Sequence, residues 1–279
     1  MRTYSPPHRF DNETRWLNQL EPPSPLFWQA LLSLKHLQLQ YHHPCLSFET
    51  PVQLKSGFLD SNQTLVLPQP SLSLNTRNIE HIFGIEFSPE HKSGLEFDFT
   101  HHQFRLRLES PRCPSTLDFL SASFGWEMKP ESPELLRSRQ LKNIPLCNCC
   151  AEAAQNRIET LENNPLVQIL RHQIDSSTPL LFSINQPDCR LLDSFQPEFL
   201  QLSHNWIFAT NSQQTLALDV THLHAFVGNK MTIDQIPHFE IRLLNTHGHH
   251  LGSLAAPSHL VQKHWNNRLT NSPSYSQTQ

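Results

Sequence analysis

The chain has 279 residues, with 21 Lys and Arg against 25 Asp and Glu, a formal net charge of −4 and a pI near 6.5. That balance lacks the basic footprint of a general nucleic-acid binder. No run approaches the ~18 uninterrupted apolar residues of a membrane span, and Met1 to Phe10 has no apolar signal core, so a cytoplasmic setting with reduced cysteines is expected.

Met1 to Glu21 is polar. Pro25 opens LFWQALLSL, an apolar helix with Pro in its first turn. From Leu37 to Leu108 short runs alternate with period two: Leu37, Leu39 and Tyr41; Leu72 and Leu74; Leu95, Phe97 and Phe99. That is the pattern of strands with one buried face. A hairpin is expected over Phe97 to Leu108, turning at His101-His102. Pro114-Ser115 then precedes the helical run TLDFLSASF, with Ser115 as N-cap. Glu127 to Asn164 is polar; within it lie the thiol cluster Cys147-Asn148-Cys149-Cys150 and a helical stretch, Ala151 to Glu162. Pro165 opens a second helix, LVQILRHQ, and alternation returns from Leu180 to Leu254. A second hairpin is expected over Phe239 to Leu254, turning at His247-Gly248. Pro257-Ser258 precedes HLVQKHWNNRL, with Ser258 as N-cap, and a polar tail from Thr270 to Gln279 is expected to be disordered.

The two halves repeat each other. Cys45 and Cys189, Leu72 and Leu216, Leu74 and Leu218, Gly84 and Gly228, and Glu96 and Glu240 all stand 144 positions apart. LSLNTRNIEHIFG (Leu72 to Gly84) lies over LALDVTHLHAFVG (Leu216 to Gly228), and GLEFDF (Gly94 to Phe99) over HFEIRL (His238 to Leu243). A period this long exceeds a solenoid unit, and each half is long enough to bury its own core. The expected fold is α+β, a tandem duplication in which each copy is a mainly antiparallel sheet with flanking helices. The expected bounds are 22–126 for the first copy, 127–162 for the linker, 163–269 for the second copy and 270–279 for the tail. Duplicated domains often form a site at their seam.

Four stretches, taken in this order and doubled along the chain, resemble one family. NQPDCRLLDSF (Asn185 to Phe195) resembles its Asn-x-Gly-Cys strand, and HNWIFATNSQQTLALDV (His204 to Val220) its Trp-containing strand followed by a Leu-x-Leu strand. FEIRLLNTHGHHLGSLAAPSHLVQKHW (Phe239 to Trp265) and FDFTHHQFRLRLESPRCPSTLDFL (Phe97 to Leu120) resemble its late hairpin and closing helix. The chain is thus similar to the cytoplasmic HemS-like haemin-degrading or haem-trafficking proteins and their single-copy ChuX-like relatives.

The resemblance implies stacked antiparallel sheets, with haem in a cleft beside the inter-repeat segment and an axial His from the helix opening the second copy. The position matching that His is Asn164, and an amide ligates haem iron poorly beside imidazole. The centre of the Leu-x-Leu strand, often His in the family, is Ser73 and Ala217. His172, eight residues or about two turns beyond Asn164 on the same helix face, is the nearest replacement donor. His222 and His224, two apart, share a strand face and form a second candidate pair. Arg77, Arg105, Arg107, Arg171, Arg190 and Arg242 are candidate propionate partners because guanidinium forks fit carboxylates; Arg105, Arg171 and Arg242 join the candidate site. The paired His turns read as polar turn residues, and Cys45 and Cys189 as small core residues. The chain has no P-loop, G-x-G-x-x-G or G-x-S-x-G motif.

The function implied is a haem-binding protein of haem and iron utilisation, storing haem, degrading it or passing it to a haem-degrading enzyme or transporter. The alternative is a scaffold that lost the axial His and binds another ligand or a protein. A third reading makes the Cys147 cluster a zinc or thiol sensor.

Overall fold

Residues 14–20, 25–34, 36–87, 92–99, 104–109 and 145–270 are described in the computed structural model. The chain divides into two units, Met1–Lys142 with Pro187–Arg190, and Asn143–Gln186 with Leu191–Gln279. The expected His101-His102 turn, the Ser115-capped helix and the tail beyond Thr270 lie outside the described residues.

In the first unit, strand β1 (Thr14–Leu20) and helix α1 (Pro25–Ser33) precede β2 (His36–His43), β3 (Leu46–Gln53), β4 (Phe58–Leu59) and β5 (Thr64–Pro68). Strands β6 (Ser71–Asn75), β7 (Ile79–Phe87), β8 (Lys92–Phe99) and β9 (Arg105–Glu109) complete it. They run in the orders β1-β7-β8-β9-β2-β3 and β6-β5-β4, with antiparallel neighbours throughout. Phe27, Trp28 and Leu31 turn one stripe of α1 inward. The Trp28 ring stacks on Phe97 at 5.9 Å, which seats the helix on β8. Leu37, Leu39 and Tyr41 of β2 are buried as their alternation predicts.

The opposite face of this sheet departs from expectation. Gln40, Glu96, Arg105 and Arg107 are buried too. Register places Arg107 beside both Glu96 and Gln40, and Arg105 beside both Asp98 and His42. The second face therefore carries a polar lattice rather than a solvated row. Elsewhere in this unit the Asn75 and Asn78 side chains donate to the Asp188 carboxylate at 3.1 and 2.7 Å.

The second unit holds helix α2 (Asn148–Glu159), helix α3 (Pro165–Ser176) and strand β10 (Leu180–Gln186). Strands β11 (Cys189–Phe195), β12 (Phe199–Ser203), β13 (Trp206–Thr210) and β14 (Thr215–Asp219) follow, with β11 starting in the first unit's segment. Then come β15 (Leu223–Ile233), β16 (Ile236–Asn245), β17 (His250–Pro257) and helix α4 (Ser258–Thr270). Its strands run β15-β16-β17-β10 and β14-β13-β12. The starts of β2 and β10, β6 and β14, β7 and β15, and β8 and β16 stand 144 residues apart, the offset of the sequence repeat.

The second hairpin turns where expected. Asn245 accepts from the His247 and His249 amides through its side chain, and Gly248 takes a positive φ of 76°. Gly228 is required for a different reason: a Cβ there would stand 2.7 Å from the Phe239 ring. The expected Ser258 cap is not formed. Strand β17 runs directly into α4, so Ser258 is already helical, and its buried hydroxyl has no partner among the described residues.

Candidate functional site

Helix α3 starts at Asn164 because two local signals agree. The Asn164 side chain accepts from the Leu166 amide at 3.0 Å, and Pro165 occupies the first turn. Leu166, Val167, Ile169 and Leu170 form its buried stripe. Ser177 ends the helix in the left-handed conformation. Asn164 is itself buried, so its amide serves the helix start.

Two turns on, His172 meets a residue that sequence patterning did not mark. Its ring stacks on His264 of α4, with centroids 3.9 Å apart and planes 21° from parallel. The two helices are tied beside this pair by Gln173. With its amide oxygen turned to the indole, Gln173 accepts from Trp265 Nε1 and donates to the Thr178 carbonyl, each at 3.2 Å. His264 Nε2 is buried without a partner among the described residues. Burial, then the neighbouring His172 and Arg268, push its pKa below the usual 6.5. The pair therefore offers an imidazole whose protonation is disfavoured and whose Nε2 is unpartnered among the described residues. Because imidazole lone pairs lie in the ring plane, stacked rings cannot converge on one ion until one of them turns out.

Arg171, adjacent to His172, pairs with Glu162, whose carbonyl also accepts from Gln168 at 2.8 Å. Both ends of that ion pair are open to solvent, at 43% and 68% side-chain exposure. Exposed pairs of this kind hold by only ~0–1 kcal/mol, so a ligand carboxylate can replace Glu162 at little cost.

Four of the remaining predicted residues have other partners. Arg105 lies in the first unit and pairs with Asp98 at 3.0 Å and Glu96 at 3.6 Å. Arg107 is held by Glu96, while Arg77 and Arg190 are exposed. Arg242 donates to Glu240 at 2.9 Å. His222 Nδ1 stands 3.0 Å from Asp219, whose carboxylate also accepts from Asn205 and the Thr221 amide. Arg157 of α2 clamps the same turn by donating to the Val220 and Thr221 carbonyls. His222 thus belongs to a turn-closing network. His224 is a β15 residue whose backbone alone is described.

The described thiols fall into two kinds. Cys45 and Cys189 are buried, and desolvation pushes the Cys189 thiol up to about 12. Cys147, Cys149 and Cys150 gather in the first turn of α2 with their sulfurs within 4.8 Å of one another. Hydrogen bonding from the Cys149 thiol lowers Cys147 to about 7, while the bond to Cys147 raises Cys150 to about 11.

No family model matches the chain, and no curated protein does. The fold does match solved structures. The haem-degrading enzyme ChuS of Escherichia coli O157:H7 superposes with a TM-score of 0.65 at 13% identity, covering 94% of this chain and 87% of its own. Holo-PhuS, a haem-binding protein of Pseudomonas aeruginosa, gives a TM-score of 0.65 at 11% identity, covering 93% and 88%. The chain has the HemS/ChuX-like α+β fold of these proteins. Among the described residues, no helix is long and apolar enough to cross a membrane.

Proposed function

We propose that this protein binds haem in the cytoplasm and serves haem and iron utilisation by storage, transfer or degradation. The observation that carries the reading is a fold likeness spanning nearly the whole chain to two haem-handling proteins. The 144-residue offset shared by sequence and strand starts supports a tandem duplication behind that fold, with copies at 22–126 and 163–269.

The chain's own residues fit haem at α3 and α4. His172, half-buried, and His264, whose Nε2 has no partner among the described residues, are the imidazoles that would hold the haem iron. Arg171 exchanges Glu162 for a propionate. When bound, haem supplies the iron and whatever redox chemistry follows; the residues hold and orient it. A haem-degrading enzyme or a haem transporter is the protein partner this reading implies.

One observation favours a second reading. The position matching the family's axial His is a buried helix cap. On that reading the fold is kept for another ligand or a protein. Haemin titration of the purified protein, followed in the Soret band, separates the two. Haem binding predicts a saturable one-to-one shift that weakens by at least about tenfold, or ~1.4 kcal/mol, in His172→Ala or His264→Ala. No saturable shift in the unsubstituted protein would overturn the haem reading and leave the second.

A further inference from the structure

We propose that Cys147, Cys149 and Cys150 form a three-thiolate site for a soft, thiophilic cation, Zn(II) or Cu(I), separate from the haem residues. The three sulfurs already lie within 4.8 Å of one another, and Cys147 and Cys149 approach to 3.0 Å. Metal–sulfur bonds of ~2.3 Å set tetrahedral ligands ~3.8 Å apart. Converting one arrangement to the other needs only rotamer changes. The side chains are free to make them, since Cys147 and Cys149 are exposed and Cys150 is half-exposed.

The helix supplies what the anions need. Cys147 is the N-cap of α2, a 12-residue helix, and its side chain makes no capping hydrogen bond. The cluster thus sits at the positive end of the helix dipole, which favours negative charge there. The first turn contains no acidic residue to oppose them. Cys147 and Cys150 have the Cys-x2-Cys spacing of zinc sites, and Cys149 adds a third sulfur on the same turn.

Ligand type sets the cation class. A cluster of sulfur donors with no carboxylate in it selects Zn(II) or Cu(I) and rejects Mg(II) and Ca(II). Three protein ligands complete a trigonal Cu(I) site, or leave one position of a Zn(II) tetrahedron open to water or an outside thiol. The site therefore exchanges its ion or ligand and is not needed for folding. That distinguishes it from a closed structural zinc site, which holds four ligands.

The test uses the full chain, reduced and metal-free. Co(II), displaced by Zn(II), reports thiolate coordination through its charge-transfer absorption. Cu(I) is titrated anaerobically against a competing chelator, and the ion held more tightly is assigned to the site. The expected result is one equivalent bound, with each of Cys147→Ser, Cys149→Ser and Cys150→Ser weakening binding more than about tenfold, because losing even an outer-shell partner costs 10–100-fold. Circular dichroism of the variants stays unchanged, and His172→Ala binds metal as the parent does. Absence of a thiolate band for both ions overturns the site. So does stoichiometric binding that survives the Cys149→Ser/Cys150→Ser double variant, or that is lost in His172→Ala.

Discussion

Glu96 has 1% of its surface exposed and faces two guanidinium groups, those of Arg105 and Arg107. Its repeat partner Glu240 is also buried and also held by an arginine, Arg242. For Glu96 the cation comes from the neighbouring strand, and for Glu240 from two residues along the same strand. A buried charge stripped of its partner is costly, so Glu96→Ala is expected to destabilise the protein by about 3–5 kcal/mol. The double variant Glu96→Met/Arg107→Met should recover most of that loss. Urea unfolding checks both, and a single variant within 1 kcal/mol of the parent would show that water reaches the lattice. The sequence repeat marks Glu96 and Glu240 as equivalent. It does not show that they are buried, because alternation reads a polar residue as solvent-facing.

At the level of the element, α3 is the most legible piece of the chain. An Asn-Pro start, an apolar stripe and a polar end are each local signals, and all three lie in consecutive residues. Removing the cap with Asn164→Ala should lower stability by about 1 kcal/mol, while Asn164→Asp, which keeps the acceptor, should stay near the parent. Thermal unfolding checks this: equal losses for both variants would mean the capping oxygen does not matter. The β15–β16 pairing makes a similar point about Gly228. The repeat shows a glycine at both 84 and 228, but only the Phe239 ring, 2.7 Å from where a Cβ would sit, explains the second. The α4 start shows the limit of local reading. Ser258 has a cap's chemistry, yet β17 runs directly into α4 and Ser258 is already helical.

Across the molecule, stability should depend on pH through two histidines of the second unit. Burial is the main force holding both His250 and His264 below the usual 6.5. For His250, Glu240 pulls upward and Arg242 downward; for His264, His172 and Arg268 add to the depression. The unfolded chain takes up these protons near pH 6.5 while the folded chain resists, so the unfolded state binds more protons below that pH. The stabilisation is therefore full above about pH 6.5 and is lost as pH falls through the folded values. The melting temperature should drop between about pH 7.5 and pH 5, and the drop should be shallower in His264→Phe. A variant that falls as steeply as the parent would remove His264 as a contributor.

Patterning along the chain is enough to indicate the α+β class, the 144-residue offset shared by sequence and strand starts, the starts of α1 and α3, and the turn at His247-Gly248. Each of these rests on spacing between neighbours or on a long in-register match, and a linear string carries both. The stacking of His172 on His264, the orphaned Nε2 and the buried lattice around Glu96 depend on where side chains meet in space. His172 and His264 stand 92 positions apart, and no periodicity relates residues at that separation. The packing of α3 and α4 around Trp265 and Gln173 brings them together. That packing depends on shape and desolvation, to which distant parts of the chain contribute jointly.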